Sequence, residues 1–228
     1  MAHATLGRLV LRAIKKRFRA FLVDNHSDLP RALSKHAVLI APNHTNWWDG
    51  FVAYALDHHL LKTQVFLAQQ EEHLKRYQFF RLLGAYGLPR DRVPLEAMHY
   101  SLRLLETPGH QVWIFPQGRL SHPTEPIRVE RGVEFLAKRS GCPVFPLAIR
   151  YEWLEESRPT IFVRIGPAWD EQTTFEQALK NEIASLDRTI RQSRFDTFQT
   201  LWRPRPSINQ SWDAFLSRIQ KPRHTRTS

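Results

Sequence analysis

The sequence contains a single cysteine, Cys142, and lacks an apolar run of the length that a membrane-spanning helix requires, about 18 residues. One cysteine excludes an intramolecular disulfide framework. No opening stretch combines the basic start, apolar core and small-residue cleavage site of a secretory signal. We therefore predict a cytoplasmic protein that does not cross a membrane.

Motifs of several catalytic classes are also missing. The sequence has no Gly-x-Ser-x-Gly elbow, which disfavours serine hydrolysis, and no His-Glu-x-x-His zinc motif. Asp57, His58 and His59 are adjacent, but neighbouring residues on a helix point about 100° apart, and no second cluster has ligand spacing. We therefore predict no metal site.

The composition fits one domain with an excess of positive charge. The chain has 228 residues, 42% of them apolar, which is enough for one α/β domain with a core. Lys and Arg outnumber Asp and Glu by 33 to 22, and the formal net charge is +11. Such a surface attracts phosphates, acidic lipid surfaces, coenzymes or nucleic acid, and charge alone does not choose among these partners.

Strand-like and helical patterns alternate through most of the chain. Short apolar runs predict strands at 36–42, 63–69, 110–116, 142–152 and 158–166. Helical patterns occur at about 47–60, 70–83, 94–106, 130–140, 174–201 (one long helix or a pair) and 208–220. The alternation predicts an α/β fold, with a mainly parallel sheet flanked by helices and sites beyond the carboxyl ends of the strands.

The N-terminal segment predicts a basic amphipathic helix. Within residues 6–23, apolar side chains recur at helical spacing and basic side chains occupy the other faces. This pattern is typical of a helix that lies on an anionic membrane surface. The alternative is a helix that packs its apolar stripe on the protein's own core, and both can hold at once. The predicted organisation is an interfacial helix over 1–25, an α/β domain over 26–202, and a C-terminal helix with a disordered tail over 203–228.

A histidine and a carboxylate follow the first of the predicted strands. His44 and Asp49 are five positions apart, which on one continuous helix would rotate them by about 140° from each other. They can meet only if His44 precedes the helix and Asp49 lies in its first turn. The carboxylate would then accept the second imidazole N–H and stabilise the imidazolium. The spacing alone also fits a structural histidine with a capping carboxylate.

Four sequence blocks carry a resemblance to a known family. The stretch NHTNWWD, residues 43–49, resembles the Asn-His-x-x-x-x-Asp block of the glycerolipid acyltransferases, which include lysophosphatidic acid and glycerol-3-phosphate acyltransferases. GLPRDR (87–92), IFPQGRLS (114–121) and CPVFPLAI (142–149) resemble its second, third and fourth blocks, in the same order. The resemblance covers residues 36–150, about half of the chain.

The resemblance implies an activity and a set of partners. A member of this family would move a fatty acyl group from acyl-CoA or acyl carrier protein to the hydroxyl of a lysophospholipid or related lipid alcohol. His44 would be the general base and Asp49 would orient it, without an acyl-enzyme intermediate and without a cofactor. Since the acceptor is a lipid, we expect a peripheral protein on the inner face of the cell membrane.

The resemblance also assigns an acceptor site. Arg92 matches the second-block arginine that contacts the acceptor phosphate, and a guanidinium can bond two phosphate oxygens at once. Gly118 matches the third-block glycine, where backbone N–H groups could approach an anion. Two positions depart from the pattern: Gln117 replaces a glutamate, and Arg119 stands one position before the family's arginine. The expected substrate-binding residues are therefore Arg92, Gln117, Gly118 and Arg119, with the acceptor left open.

Two alternatives stay open at this point. A basic module that holds anionic membranes or nucleic acid without catalysis would explain the charge, but it gives no reason for four ordered blocks. A thioesterase would use the same site with water in place of the alcohol. Of the anionic partners, we favour acyl-CoA or acyl carrier protein, a lipid acceptor and a membrane surface over nucleic acid.

Overall fold

The computed structural model of the protein describes residues 2–89, 95–154 and 157–203. In these ranges the α-helices are α1 (Ala2–Arg17), α2 (Leu29–Leu33), α3 (Asp49–Leu56), α4 (Glu71–Arg76), α5 (Leu95–Leu104), α6 (Gly132–Ser140) and α7 (Phe175–Arg191). A π-helical turn over Asp57–Leu61 extends α3, and a 3₁₀ segment over Gln78–Leu83 follows α4. The C-terminal helix predicted at 208–220 and the predicted tail lie outside the described residues.

Eight strands form one mixed sheet within the described part of the chain. They are β1 (Phe21–Asn25), β2 (Val38–Pro42), β3 (Gln64–Gln70), β4 (Ala85–Leu88), β5 (His110–Trp113), β6 (Val144–Glu152), β7 (Thr160–Ile165) and β8 (Gln199–Trp202). Their order across the sheet is β4-β3-β5-β2-β6-β7-β1-β8. The first five strands in this order are mutually parallel, β7 is antiparallel to β6 and β8 is antiparallel to β1. The predicted α/β class with a mainly parallel sheet is confirmed, and β2, β3, β5, β6 and β7 correspond to the five predicted strands.

Helices cover both faces of this sheet. In β2, Val38 and Ile40 pack into the core that α1 to α4 complete, while Leu39 and Ala41 pack into the core under α5, α6 and α7. Successive strand residues point to opposite faces. A central parallel strand is therefore apolar at every position, which explains the continuous apolar run of β2.

The predicted first helix is too long. α1 ends at Arg17, and residues 21–25 form β1 between β7 and β8. Phe21 and Val23 enter one core and Leu22 the other, which is the period of a strand. The apolar residues at 21–23 fit the helical spacing of the preceding segment as well as a strand, because a short apolar run does not distinguish the two periods. The last turn of α1 leaves carbonyl oxygens without partners inside the helix. Arg158 Nη1 donates to two of them, those of Lys15 and Lys16, at 3.2 Å each.

The predicted helical region at 174–201 is also wrong in its second half. α7 ends at Arg191, and residues 199–202 form β8, an edge strand paired with β1. A residue with positive φ, Ser193 (51°), follows the helix and interrupts its geometry. β8 has only four residues, of which Gln199 and Thr200 are exposed and Leu201 and Trp202 pack inward, so its sequence lacks the alternation that would identify a strand.

The apolar stripe of α1 packs on the protein's own core. Val10, Leu11, Ile14 and Phe18 are all buried there. Leu9 is 54% exposed, and the basic side chains of the helix face solvent. The core-packing alternative is therefore confirmed for the stripe, and the interfacial role stays a prediction for the outer face. None of the helices in the described ranges has the length and hydropathy required to span a bilayer.

The turn before β4 requires glycine. Gly84 has φ of 88°, and a Cβ added there would lie 2.2 Å from the backbone oxygen of Val65. We expect Gly84→Ala to lower the unfolding free energy for two reasons. The left-handed conformation costs about 1–2 kcal/mol, and the clash costs about 1–3 kcal/mol more. The matched control is Gly141→Ala, because Gly141 has φ of 64° but nothing within 4 Å of the added atom. Urea unfolding should show the larger loss for Gly84→Ala, and equal losses would contradict the tight approach.

Candidate active site

The carboxyl ends of the parallel strands bring the first and third sequence blocks together. His44 follows β2, the third block follows β5, and Gln70 ends β3, three strands that are neighbours in the sheet. Gln70 Nε2 donates to the carbonyl oxygen of Gly118 (2.8 Å), and Ser121 N donates to the carbonyl oxygen of His44 (2.9 Å). The site therefore forms where a parallel sheet places its loops.

His44 and Asp49 are in contact as predicted. His44 Nδ1 lies 2.8 Å from Asp49 Oδ2, with His44 in the loop after β2 and Asp49 at the first position of α3. The backbone N–H groups of Thr45 and Asn46 also donate to Oδ2, each at 2.9 Å. The Asp49 side chain is 0% exposed and the His44 side chain 23%. A carboxylate only accepts, so Nδ1 carries the proton and the lone pair of His44 lies on Nε2.

The imidazole is also held by an aromatic ring. His44 stacks on Phe115 with ring centroids 4.1 Å apart and an interplanar angle of 21°. Among the described residues, no hydrogen-bond partner is recorded for Nε2. The ring is thus fixed by its Nδ1 contact and by stacking, while its basic nitrogen remains available to a substrate.

Asn43 fixes the chain immediately before the histidine. Its side-chain oxygen accepts from Ile149 N (2.7 Å), and its Nδ2 donates to the Ile149 carbonyl oxygen (3.2 Å). The asparagine is fully buried. It therefore continues the hydrogen bonding of β2 to β6 beyond the last strand residue, which explains its place in the Asn-His pattern.

Tyr151 is a second contact of Asp49 that the sequence analysis missed. Its hydroxyl donates to Asp49 Oδ1 at 2.6 Å. Burial raises the pKa of Tyr151 well above its ordinary value, and the adjacent Asp49 carboxylate raises it further, so the phenol stays protonated. The two residues are 102 positions apart in the sequence, and such a separation gives no indication that they are in contact. The alternation of β6 was the available signal, because Tyr151 shares the face of the buried Leu147 and Ile149.

The third-block residues Gln117, Gly118 and Arg119 differ in their contacts. Gln117 is buried, and its Oε1 accepts the backbone N–H of His44 at 2.6 Å. Gly118 has φ of 65°, and its own N–H donates to the Phe115 carbonyl oxygen at 3.1 Å, so that group is already used in the turn. Arg119 is exposed and pairs with Glu125 (2.6 Å).

Arg92 lies outside the described residues. Of the expected substrate-binding residues that the structure describes, Gln117 contacts the His44 loop, Gly118 contacts Gln70 at the end of β3, and Arg119 lies in a surface ion pair. Within the described ranges, no group of three or more His, Cys, Asp or Glu side chains is arranged to hold a metal ion.

Aromatic side chains line the approach from α3. Trp47, 43% exposed, contacts the rings of Trp48, Phe51, Tyr77 and Phe80. It lies in the same loop as His44. Of these rings, Phe51 and Phe80 are buried and Trp47 is the exposed member, so the cluster presents one large apolar side chain to solvent in the loop that carries His44.

A second histidine lies near His44. His73 on α4 contacts Gln69 Oε1 through Nδ1 at 3.0 Å. Burial lowers the pKa of His73, and electrostatic interactions with His44 and Arg76 lower it further. His73 therefore favours its neutral form and adds little positive charge beside the site.

Fold and site together define an α/β domain that presents a carboxylate-held histidine at the strand ends, an arrangement suited to general-base chemistry. A model of the acyltransferase family matches residues 20–150, more than half of the 228 residues. The chain therefore belongs to the acyltransferase family, as the sequence resemblance indicated.

A solved structure is similar over most of the chain. It is the crystal structure of the 1-acyl-sn-glycerophosphate (LPA) acyltransferase PlsC from Thermotoga maritima, with a TM-score of 0.57 and 15% sequence identity. The match covers 82% of this chain and 79% of that chain. At this identity the likeness shows a shared fold.

The Gln117 contact generates a testable expectation. In Gln117→Leu the buried His44 N–H loses its acceptor, which we expect to cost about 1–3 kcal/mol of unfolding free energy. Gln117→Glu retains an oxygen at the same place and serves as the matched variant. Urea unfolding of both variants at one pH checks the contact, and equal stability of Gln117→Leu and the parent protein would contradict it.

Proposed function

We propose that the protein transfers a fatty acyl group from an acyl thioester, acyl-CoA or acyl carrier protein, to a hydroxyl of a lysophospholipid or related lipid alcohol. The observation that carries the proposal is the Asp49-held imidazole of His44, with Nε2 available at the strand ends of a chain in the acyltransferase family. The thioester is a co-substrate, and no cofactor enters the proposed reaction.

The proposed reaction is a direct displacement at the thioester carbonyl. His44 Nε2 removes the proton of the acceptor hydroxyl while the oxygen attacks the carbonyl carbon. The new C–O bond forms, the C–S bond breaks, and the departing thiolate takes the proton from the imidazolium. Asp49 supports this cycle because its buried charge stabilises the imidazolium between the two proton transfers.

The acceptor site is proposed around the third block and Arg92. The PlsC protein of similar fold is named for a phosphate-bearing acceptor, which supports a phosphate contact by Arg92 and Arg119. In this chain Arg119 pairs with Glu125, so a phosphate would have to exchange with that carboxylate. Gln117 contacts the His44 loop and Gly118 contacts Gln70 at the end of β3, and both would shape the acceptor's position.

Acceptor identity is tested by a screen. The purified protein is given one acyl-CoA with lysophospholipids that carry a phosphate and with neutral lipid alcohols, and the products are identified by mass. An acylated lipid supports the proposal. Free thiol released at the same rate without any acceptor would favour the thioesterase alternative. The absence of turnover, with lipid or nucleic-acid binding alone, would favour the non-catalytic basic module.

The histidine and its carboxylate should respond differently to substitution. We expect His44→Ala to lower kcat by at least 1,000-fold, on the order of the loss caused by removing a triad member. Asp49→Asn should lower kcat substantially because the imidazolium loses its charged partner. Steady-state kinetics on folded variants measure both effects. A folded His44→Ala protein with normal acyl transfer would sink the mechanism.

The outer face of α1 is proposed to hold the protein on an anionic membrane. Arg8, Arg12 and Lys16 face solvent along this helix, and the exposed Leu9 lies between them. The helix packs beside the 3₁₀ segment, where Leu82 is also exposed. Basic side chains with interspersed apolar ones suit a surface of acidic lipids, which is where a lipid acceptor resides.

This membrane contact should depend on the charges of α1 in particular. Each basic residue near an acidic surface contributes about 1 kcal/mol to the binding free energy. Replacing Arg8, Arg12 and Lys16 with Gln should therefore weaken binding to acidic vesicles on the order of 100-fold. The matched control replaces Arg131, Lys138 and Arg139 at α6, an equal loss of exposed charge on the other side of the sheet. Co-sedimentation measures both, and equal losses would show that net charge rather than α1 governs binding.

A further inference from the structure

The Asp49 carboxylate divides its hydrogen bonds unequally between its two oxygens. Oδ2 accepts from His44 Nδ1 and from the backbone N–H groups of Thr45 and Asn46. Oδ1 accepts from the Tyr151 hydroxyl, the only donor recorded for it among the described residues. With the side chain at 0% exposure, no solvent can replace a lost donor.

Tyr151 is placed rigidly for this contact. It lies on β6, and its ring packs against Phe18 with centroids 5.3 Å apart. Its raised pKa keeps the hydroxyl protonated, so the phenol donates one neutral hydrogen bond and leaves the full negative charge on Asp49. A donor on Oδ1 draws part of that charge away from Oδ2, the oxygen that faces the imidazole.

We propose that Tyr151 is a positioning residue for the acyl transfer proposed above: its hydroxyl fixes the orientation of the Asp49 carboxylate and sets the charge that Oδ2 presents to His44. It does not touch substrate in this role and acts through Asp49. The proposal rests on the proposed function for its catalytic consequence, but the contact itself can be tested without turnover.

Removal of the hydroxyl has two expected consequences. In Tyr151→Phe more charge remains on Oδ2, so the protonated imidazole is stabilised and the acid limb of the pH–rate profile moves to higher pH. The carboxylate also loses the bond that holds Oδ1, so kcat should fall roughly tenfold while the KM values of both substrates stay close to those of the parent.

Other charged or titrating groups around His44 stay constant in this comparison. His73 on α4 interacts electrostatically with His44, Arg76 on the same helix acts on His73, and Gln117 contacts the His44 backbone as a neutral amide. Since none of these is changed, a shift between parent and variant reports on Tyr151 and Asp49. A titration of the His44 Cε1–H resonance by NMR separates His44 from His73 and needs no substrate.

The experiment compares Tyr151→Phe with a matched control, Tyr86→Phe. Tyr86 is also buried, and its hydroxyl is hydrogen-bonded to Ser101 Oγ at 2.8 Å, but it belongs to the core on the other face of the sheet. We expect the His44 titration midpoint and the acid limb to move to higher pH in Tyr151→Phe and to stay in place in Tyr86→Phe. A variant with a fluorotyrosine at position 151, fluorine ortho to the hydroxyl, is a stronger donor of the same shape and should move both to lower pH.

Each outcome decides the proposal. If Tyr151→Phe matches Tyr86→Phe, with lower stability but the parent's kcat and His44 titration, Tyr151 is only structural and the proposal is overturned. If Tyr151→Phe does not fold, the fluorotyrosine variant decides by the direction of its shift, and no shift overturns the proposal. If the parent protein shows no acyl transfer, the proposed function fails, while the NMR titration still decides whether Tyr151 sets the charge at His44.

Discussion

The site depends on one buried negative charge, the carboxylate of Asp49. A buried charge without partners costs several kcal/mol, so the surrounding chain has to supply donors in place of water. The loop supplies the N–H groups of Thr45 and Asn46, β2 leads to the His44 imidazole, and β6 supplies the Tyr151 hydroxyl. The same charge therefore organises the loop and contacts the imidazole of His44, so a change in it would affect the fold and the chemistry that we propose together.

The parallel sheet makes this arrangement possible. β2 lies between β5 and β6, so the loop that carries His44 has the third block on one side and Tyr151 on the other. Asn43 joins the β2 end to β6 through two side-chain bonds to Ile149. Because these contacts join segments that are far apart in sequence, the position of His44 is fixed by the sheet rather than by its own short loop.

Local patterns predicted much of this structure, and long-range contacts account for what they missed. The central strands and the His44–Asp49 contact were predictable because apolar runs, a helix start and a short spacing are local signals. β1 was missed because its apolar residues continue the pattern of α1, and β8 because it is a four-residue edge strand without alternation. Tyr151 was missed because its partner lies 102 residues away, and a spacing of that size carries no geometric information.

Gln117 stands in the third block where the resembling family pattern has a glutamate. The replacement changes the charge at this position but keeps an oxygen that can accept the His44 N–H. The third block makes two hydrogen bonds with the His44 backbone. Gln117 Oε1 accepts the His44 N–H, and the Ser121 N–H donates to the His44 carbonyl oxygen. A glutamate at position 117 has an oxygen for the same bond, so either residue can hold the loop. The amide differs in adding no second negative charge beside Asp49. Asp49 is then the one carboxylate in contact with the His44 imidazole among the described residues, and in the reaction that we propose it alone would stabilise the imidazolium.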